Sequence, residues 1–497
     1  MKNKLLMLSK NIAKYSFLLF ICLYSIANLF FTTRHFNAPN SGYEINYFSG
    51  FTLVNFITLV IIGFMAVYAI NKKDFKFSSK KILSIFLIAS FLMGVIWIFS
   101  NPQDLVEYDD AFNCYRAAVS LSNGDLSPIQ YGSYINTYPH NLPLVTYFLI
   151  IIKIFGNDLS LLAIRFINLL FVLIGYYSLY KICEELYDNE KTKLILVILM
   201  FLSTQYVFYS FMIYSNVIAY STGMVSLLYF LKYYKNDSLK DLIFSLLMIV
   251  FSSILKNNSL IILIAEIIFL ILKLINNFNF KPILILAISL FTLSIFSKGI
   301  IGYWSIKSNT DYSNKLPFSC WIAYGVNYDR NNPGGYTNEF ENFHHENGYV
   351  AEYTDRKAKE FIENSLNRFK EQPDVALKFY IQKFLFSYAN PEYDAFLSYK
   401  NIKRNDFTNS LISGQANDFL FVVWDACSSL VSIGLIVFAI KKFNDIKLEQ
   451  LLLGVCVFGG FMFHFFWETK SIYLYQYFLL LLPYAAYGIS CFKIRNK

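Results

Sequence analysis

The chain has 497 residues, of which 56% are hydrophobic, 19% aromatic and only 15% charged, and its apolar residues come in repeated runs of roughly twenty, the length that crosses a bilayer. That composition excludes a water-soluble globular protein and a disordered chain. The net charge of +9 gives no reason to expect nucleic acid as a partner, because the basic residues sit in short segments between apolar runs, where they set topology.

Only helices and closed barrels satisfy the backbone inside lipid, and these runs lack the polar and apolar alternation of barrel strands. The predicted fold is therefore an all-α polytopic membrane protein. The first run, from Tyr15 to Phe31, is longer than a signal-peptide core and no small-residue cleavage site follows it, which predicts a retained first span. Spans are predicted over 16–32, 51–70, 82–100, 160–181, 193–209, 211–231, 242–256, 258–276, 282–301, 417–440, 449–466 and 472–492. Between the third and fourth, "DDAFNCYRAAVSLSNG" reads as a helix opened by Asp109 and Asp110 and stopped at Gly124, with Ala111, Cys114, Ala118 and Leu121 on one face. It is followed by "YPHNLP" at 138–143, a turn signal, and then by "LPLVTYFLIIIKIF". That last stretch is apolar but short and carries Lys153, which fits an interfacial helix.

Residues 302–416 are too apolar and aromatic for a linker, and no single run in them is long enough to span. They predict a small extracytoplasmic loop domain. The organisation is then an N-terminal transmembrane module over 1–301 with an outer loop at 101–159, the loop domain over 302–416, and C-terminal transmembrane helices over 417–497.

Orientation follows from Lys and Arg. With the amino terminus inside, 23 of them fall in inner segments, against five in the short outer ones, namely Arg34, Arg116, Lys153, Lys256 and Lys470. Such an excess faces the cytoplasm. The seven cysteines are scattered singly with no CxxC pair and no Cys/His ligand spacing, which argues against a thiolate metal site or a disulfide framework. His344 and His345 read as solvated loop residues. Glu266 falls near the middle of a span, where an acid is either functional or packed in neutral form against a neighbour.

Three outer clusters carry chemistry: Asp109 with Asp110; Tyr138, His140 and Asn141 in "YPHNLP"; and Glu468 with Lys470 in "FWETKSIYLYQY". Each has a plain alternative, as acids favoured at a helix start, a turn before a helix and a solvated loop pair. The order of these elements, with "IFG" at 154–156 running into "LSLLAIRFIN", resembles the GT-C superfamily of membrane glycosyltransferases. Within it the nearest branch is that of protein O-mannosyltransferases (glycosyltransferase family 39) and aminoarabinose transferases. "WIAYGVNYDRNNPGGY" is similar to an outer-loop motif of bacterial relatives, with Trp321, Gly325, Gly334, Gly335 and Tyr336 at matching positions. "WETKSIYLYQYFLLLLPY" resembles the start of the family's final span, although Lys470 stands three positions before Tyr473 where the family has Arg next to Tyr.

The resemblance implies an inverting glycosyltransferase of the bacterial cell membrane. Its donor would be a polyprenyl-phosphate sugar, and its acceptor a cell-envelope glycan, lipid or protein on the extracytoplasmic face. Asp109 then matches the catalytic base and Asp110 the second acidic place. No cofactor is firmly implied; a divalent metal is left open. A leaving phosphate needs a cation, for which Arg165, Lys383 and Lys470 are candidates, and Trp321, Tyr336 and Trp467 suit stacking on sugar rings as well as an interfacial belt. The competing classes are a lipid-linked saccharide flippase or transporter, which predicts internal pseudo-repeats around a midplane site, and a wall polysaccharide polymerase using a diphosphate-linked oligosaccharide. The charge asymmetry gives a first prediction. A cysteine introduced as Ser127→Cys or Asn347→Cys reacts with a membrane-impermeant thiol reagent in intact cells, and one at Ser78→Cys does not; labelling of Ser78→Cys alone would invert the protein.

Overall fold

The computed structural model describes residues 2–37, 44–49, 57–63, 78–102, 110–329, 331–396 and 405–492. Among these, eight helices are long and apolar enough to cross a membrane: Lys2–Phe30, Ser79–Ser100, Pro139–Leu186, Asn257–Asn276, Phe280–Ser308, Asp406–Lys442, Glu449–Phe466 and Ser471–Ser490. A ninth arises if Glu190–Leu202 and Gln205–Phe211, bent by 51° at Ser203, count as one span. The protein is an all-α polytopic membrane protein, and these nine correspond to nine of the twelve predicted spans.

The other three differ for local reasons. The stretch 51–70 lies mostly outside the described residues. The stretch 242–256 is the 17-residue helix Leu239–Leu255, whose length of about 26 Å at 1.5 Å per residue falls a little short of a ~30 Å hydrocarbon core. The stretch 211–231 starts only at Asn216, because Tyr209–Phe211 closes a separate 3-10 turn. Its helix, Asn216–Asn236, lies inside the bundle and buries Asn216, Ser221, Thr222 and Ser226, so its apolarity is diluted by residues that bond to neighbouring helices. Glu266 is one such partner: its Oε1 accepts from Ser226 Oγ at 2.6 Å and lies 3.5 Å from Ser245 Oγ, which makes it interhelical polar packing.

Helix starts follow their capping residues. Ser78, Asn189, Ser238 and Asn279 each accept a backbone N–H from the first turn of the helix they precede, satisfying one orphan donor apiece. The run Leu142–Leu186 is broken at Gly156, which has φ +77° and ψ 166°. That backbone conformation favours glycine and separates the predicted short helix over 142–155 from the span that follows. Among the described residues the one sheet is a strand pair of β1 (Thr33–Asn37) and β2 (Glu44–Phe48), antiparallel with Thr33 opposite Phe48. It is pinned by Asn46 N–H to Asn331 O at 2.7 Å and by the buried pair His35 Nδ1 and Asp394 Oδ1 at 3.0 Å.

Phe280–Ser308 buries little of its apolar length inside the protein, as a helix facing lipid does. The helices Gln415–Lys442 and Ser471–Ser490, by contrast, touch backbone to backbone. A Cβ on Gly488 would lie 1.9 Å from the Gly434 carbonyl oxygen, and one on Gly434 would lie 2.6 Å from that of Ala485. In lipid, where apolar burial does not drive helices together, such close approach supplies the packing. Gly488→Val should therefore cost about 1–3 kcal/mol through overpacking and lower the melting temperature in detergent. Gly299→Ala, inside a helix and with nothing within 4 Å of its Cβ position, should not lower it.

Candidate functional site

Asp110 is the first residue of the helix Asp110–Ser122, where a carboxylate is favoured by the exposed N–H groups and the dipole. The face predicted from spacing, Ala111, Cys114, Ala118 and Leu121, is buried in one cluster with Leu142, Val145 and Phe148, so the helix is fixed against the 142–155 arm. Gly124, with φ +86°, follows its end. Two phenols reach the carboxylate. Tyr134 donates to Oδ1 at 2.5 Å and Tyr214 lies 3.3 Å from Oδ2, while Asn141 Nδ2–H donates to the Tyr134 oxygen at 3.0 Å. Asp109, the expected base, lies outside the described residues.

A second carboxylate stands next to this group. Tyr138, whose ring centre is 5.0 Å from that of Tyr134, donates its O–H to Glu341 Oε2 at 3.0 Å, and Tyr336 donates to the same oxygen. Burial first, and the Glu341 carboxylate second, push both phenols above their ordinary range, so both remain protonated donors at neutral pH. Lys470 Nζ sits 5.9 Å from the centre of the Tyr336 ring. Trp321 lies edge-on to Tyr138 and to His140, at 6.2 and 5.8 Å, and stacks on Trp467 with 12° between planes. Lys256 is held over the rings of Tyr214 and Tyr473, at 4.1 and 5.1 Å.

Seven of the predicted site residues thus meet: Asp110, Tyr138, His140, Asn141, Trp321, Tyr336 and Lys470. Tyr134, Tyr214, Glu341, Lys256 and Tyr473 join them without having been singled out in the sequence. Glu341 had a signal only in hindsight, as one acid among many in a charged helical stretch; Tyr134 and Tyr214 are two of 38 tyrosines and had none.

Other predicted residues serve the frame. The strap 466–470 docks on the "WIAYGVNYDRNNPGGY" loop through Glu468 N–H to Trp321 O at 3.1 Å and Thr469 N–H to Gly334 O at 3.0 Å. Two glycines permit this: a Cβ on Gly325 would lie 2.2 Å from Phe466 O, and one on Gly334, at φ +75°, 2.5 Å from Lys383 Cε. Lys383 was expected to face substrate. It is instead buried, and its ammonium donates to the carbonyls of Gly325, Phe465 and Trp467 at 2.6, 3.1 and 2.9 Å. Those three bonds use all three of its donors, which makes it the brace of the strap. Glu468 is buried beside it, with its own carbonyl bonded by His464 Nδ1 at 3.0 Å. Arg165 is fully buried with its guanidinium 3.7 Å from the Phe211 ring centre. His344, read as solvated, is also buried, held by Thr354 Oγ1 at 2.9 Å and Asn314 O at 3.0 Å, whereas His345 is exposed. Its alternation with the exposed neighbour follows the helix Glu339–Glu346, which turns one histidine inward. Among the described residues, no group of three His, Cys, Asp or Glu side chains is arranged to hold a metal ion.

Residues 139–301 match the family described as dolichyl-phosphate-mannose-protein mannosyltransferase. The match covers about a third of the chain, beginning at Pro139 of the turn motif and ending in the helix Phe280–Ser308. No curated protein matches the chain. Together with the helical membrane fold, the family match supports a membrane glycosyltransferase of the GT-C type, as the sequence resemblance implies. The Lys383 brace gives a prediction that separates frame from site. Lys383→Met leaves one buried and two part-buried carbonyls without their donor and should cost about 2 kcal/mol, read as a lower melting temperature in detergent, whereas Lys470→Met should leave the melt close to that of the parent.

Proposed function

We propose that the protein transfers a sugar from a polyprenyl-phosphate donor to an acceptor hydroxyl on the extracytoplasmic side of a bacterial cell membrane, with inversion at the anomeric carbon. The observation that carries this reading is the convergence on Asp110, through Tyr134, of motif residues from three distant segments, beside the arm on which the family match begins. A polyprenyl-phosphate sugar keeps its tail in lipid and its sugar at the boundary, so a carboxylate that follows the span ending at Ser100 by only a few residues in the chain suits that chemistry.

In this reading Asp109 takes the acceptor hydroxyl proton as the oxygen attacks the anomeric carbon, and the bond to the phosphate oxygen breaks, releasing polyprenyl phosphate. Asp110 is a positioning residue, held by Tyr134 and Tyr214, that orients Asp109 or the acceptor. Lys470 and Lys256, each set against tyrosines of the cluster, are the cations assigned to the leaving phosphate; Arg165, fully buried over Phe211, is not. The family name points to a mannosyl donor and a protein acceptor; the motifs of this chain carry only the lipid-phosphate sugar and an envelope acceptor as a class.

The donor and acceptor are named by comparing envelope glycans and polyprenyl-phosphate sugars of a deletion strain with its parent, where one modification is lost and its donor accumulates. With that donor in liposomes, Asp109→Asn lowers transfer by about 10²–10⁴-fold while leaving the melting temperature unchanged, and Asp110→Asn has the smaller effect. Full activity in Asp109→Asn with none in Asp110→Asn moves the base by one residue. Full activity in both removes the carboxylates from the chemistry.

A further inference from the structure

The helix Pro373–Tyr388 falls in the stretch that the sequence assigns to the loop domain, and with 16 residues, among them Lys378 and Lys383, it is too short and too charged to read as a span. Ring contacts nevertheless set it against two spans. Tyr380 stacks on Phe465 at 4.2 Å with 7° between planes, and Phe384 meets Phe461 at 5.7 Å. Four residues forward along this helix are thus four residues back along the span Glu449–Phe466, so the helix descends beside that span, antiparallel to it. Tyr388 then reaches the first span, Lys2–Phe30, edge-on to Phe20 at 5.4 Å and to Tyr24 at 6.4 Å, and Phe461 meets Phe20 as well, at 5.9 Å. Phe20 and Tyr24 lie ten and six residues before Phe30, which at 1.5 Å per residue is about 15 and 9 Å from the end of that span, a third to a half of a ~30 Å hydrocarbon core.

The residues that follow, 389–396, are all buried, and non-helical backbone at membrane depth is tolerated where protein covers it and bonds its polar groups. Here Gln205 Nε2–H donates to Pro391 O at 2.6 Å, Thr33 N–H to Ala389 O at 2.8 Å and the Tyr209 hydroxyl to Tyr393 O. Lys383, between Tyr380 and Phe384 in the chain, enters with its ammonium occupied by three carbonyls. One flank of the helix is exposed. Leu377 and Ile381, one turn apart on either side of Tyr380, are 64% and 49% exposed. On the span, Met462 and Phe466, each next in the chain to a ring that contacts the helix, are 38% and 53% exposed. The exposed apolar surface of a membrane-crossing helix thus runs on into that of Pro373–Tyr388. Lys378, exposed near the start of the helix, has a stem long enough to return its ammonium to water.

We propose that Pro373–Tyr388 is a re-entrant helix of the membrane and that Leu377 and Ile381 form a lipid-docking surface, covered by the acyl chains of bilayer phospholipid rather than by water or by a second copy of the chain. The inference stands apart from the transfer reading, and its test needs no substrate. With Cys22 and Cys491, the two cysteines that are not buried, replaced by serine, nitroxide labels are placed in the full-length protein at Leu377→Cys and at Ile381→Cys. The reference label is Leu366→Cys, 49% exposed on the helix Ala351–Glu371 among exposed Glu363, Asn367 and Lys370. The protein is reconstituted in liposomes of phosphatidylethanolamine and phosphatidylglycerol. Relaxation of each label by O2, which concentrates among acyl chains, is compared with relaxation by a polar nickel chelate, which stays in water. The Ile381 label is relaxed more by O2 and the Leu366 label more by the chelate, so that the preference reverses between them; the Leu377 label, nearer the start of the helix, shows a smaller shift in the same direction as Ile381. A label that prevents folding is recognised by a lowered melting temperature, and the other of the two positions then decides. An O2-to-nickel ratio no higher than at Leu366 puts the flank in water, and weak relaxation by both reagents puts it against protein; either result overturns the proposal. Neither bears on sugar transfer, which the Asp109→Asn and Asp110→Asn assays decide separately.

Discussion

The arrangement of the candidate site depends on one contact: the backbone of residues 466–470 lying on the loop that runs from Trp321 to Gly335. Two N–H groups of the strap bond Trp321 and Gly334 carbonyls, and the buried ammonium of Lys383 gathers three further carbonyls from both sides. Backbone polar groups buried this deeply must be bonded. Two glycines and one lysine meet that demand, and the contact carries Trp467 onto Trp321 and Lys470 onto Tyr336. The glycines of the motif thus belong to close backbone approach, and only its aromatic residues face the cluster.

Around that joint the cluster is built mainly of tyrosine. Phenols donate to both carboxylates, Asp110 and Glu341, and tyrosine rings lie under Lys470 and Lys256. A tyrosine offers an apolar ring and a single polar tip, which suits a site that must hold charge close to lipid without filling it with water. The same economy appears inside the bundle, where Glu266 is met by serine hydroxyls rather than by a cation. The family match over 139–301 takes in His140, Asn141, Tyr214 and Lys256 of this arrangement; Asp110, Tyr134, Tyr138, Tyr336, Glu341 and Lys470 lie outside it.

The sequence by itself determined what depends on local periodicity and on solvent. Apolar runs a bilayer thick could only become helices, and eight of the predicted spans, or nine with the bent pair counted as one, are present among the described residues as helices long and apolar enough to cross. The helix after the carboxylates, its buried face of Ala111, Cys114, Ala118 and Leu121, and its end before Gly124 were legible because they rest on the 3.6-residue repeat and on a glycine backbone. Tertiary structure alone decided which isolated polar residues met. Lys383, Lys470 and Arg165 are equivalent as letters, yet one braces carbonyls, one lies over a tyrosine at the cluster and one is buried over Phe211. His344 and His345 are neighbours in the chain, but the helix turns one inward and leaves the other in solvent. Glu341 reaches Tyr138 across 203 residues, and no local pattern can encode a bond between side chains that far apart, because it exists only once the strap and the loop have closed.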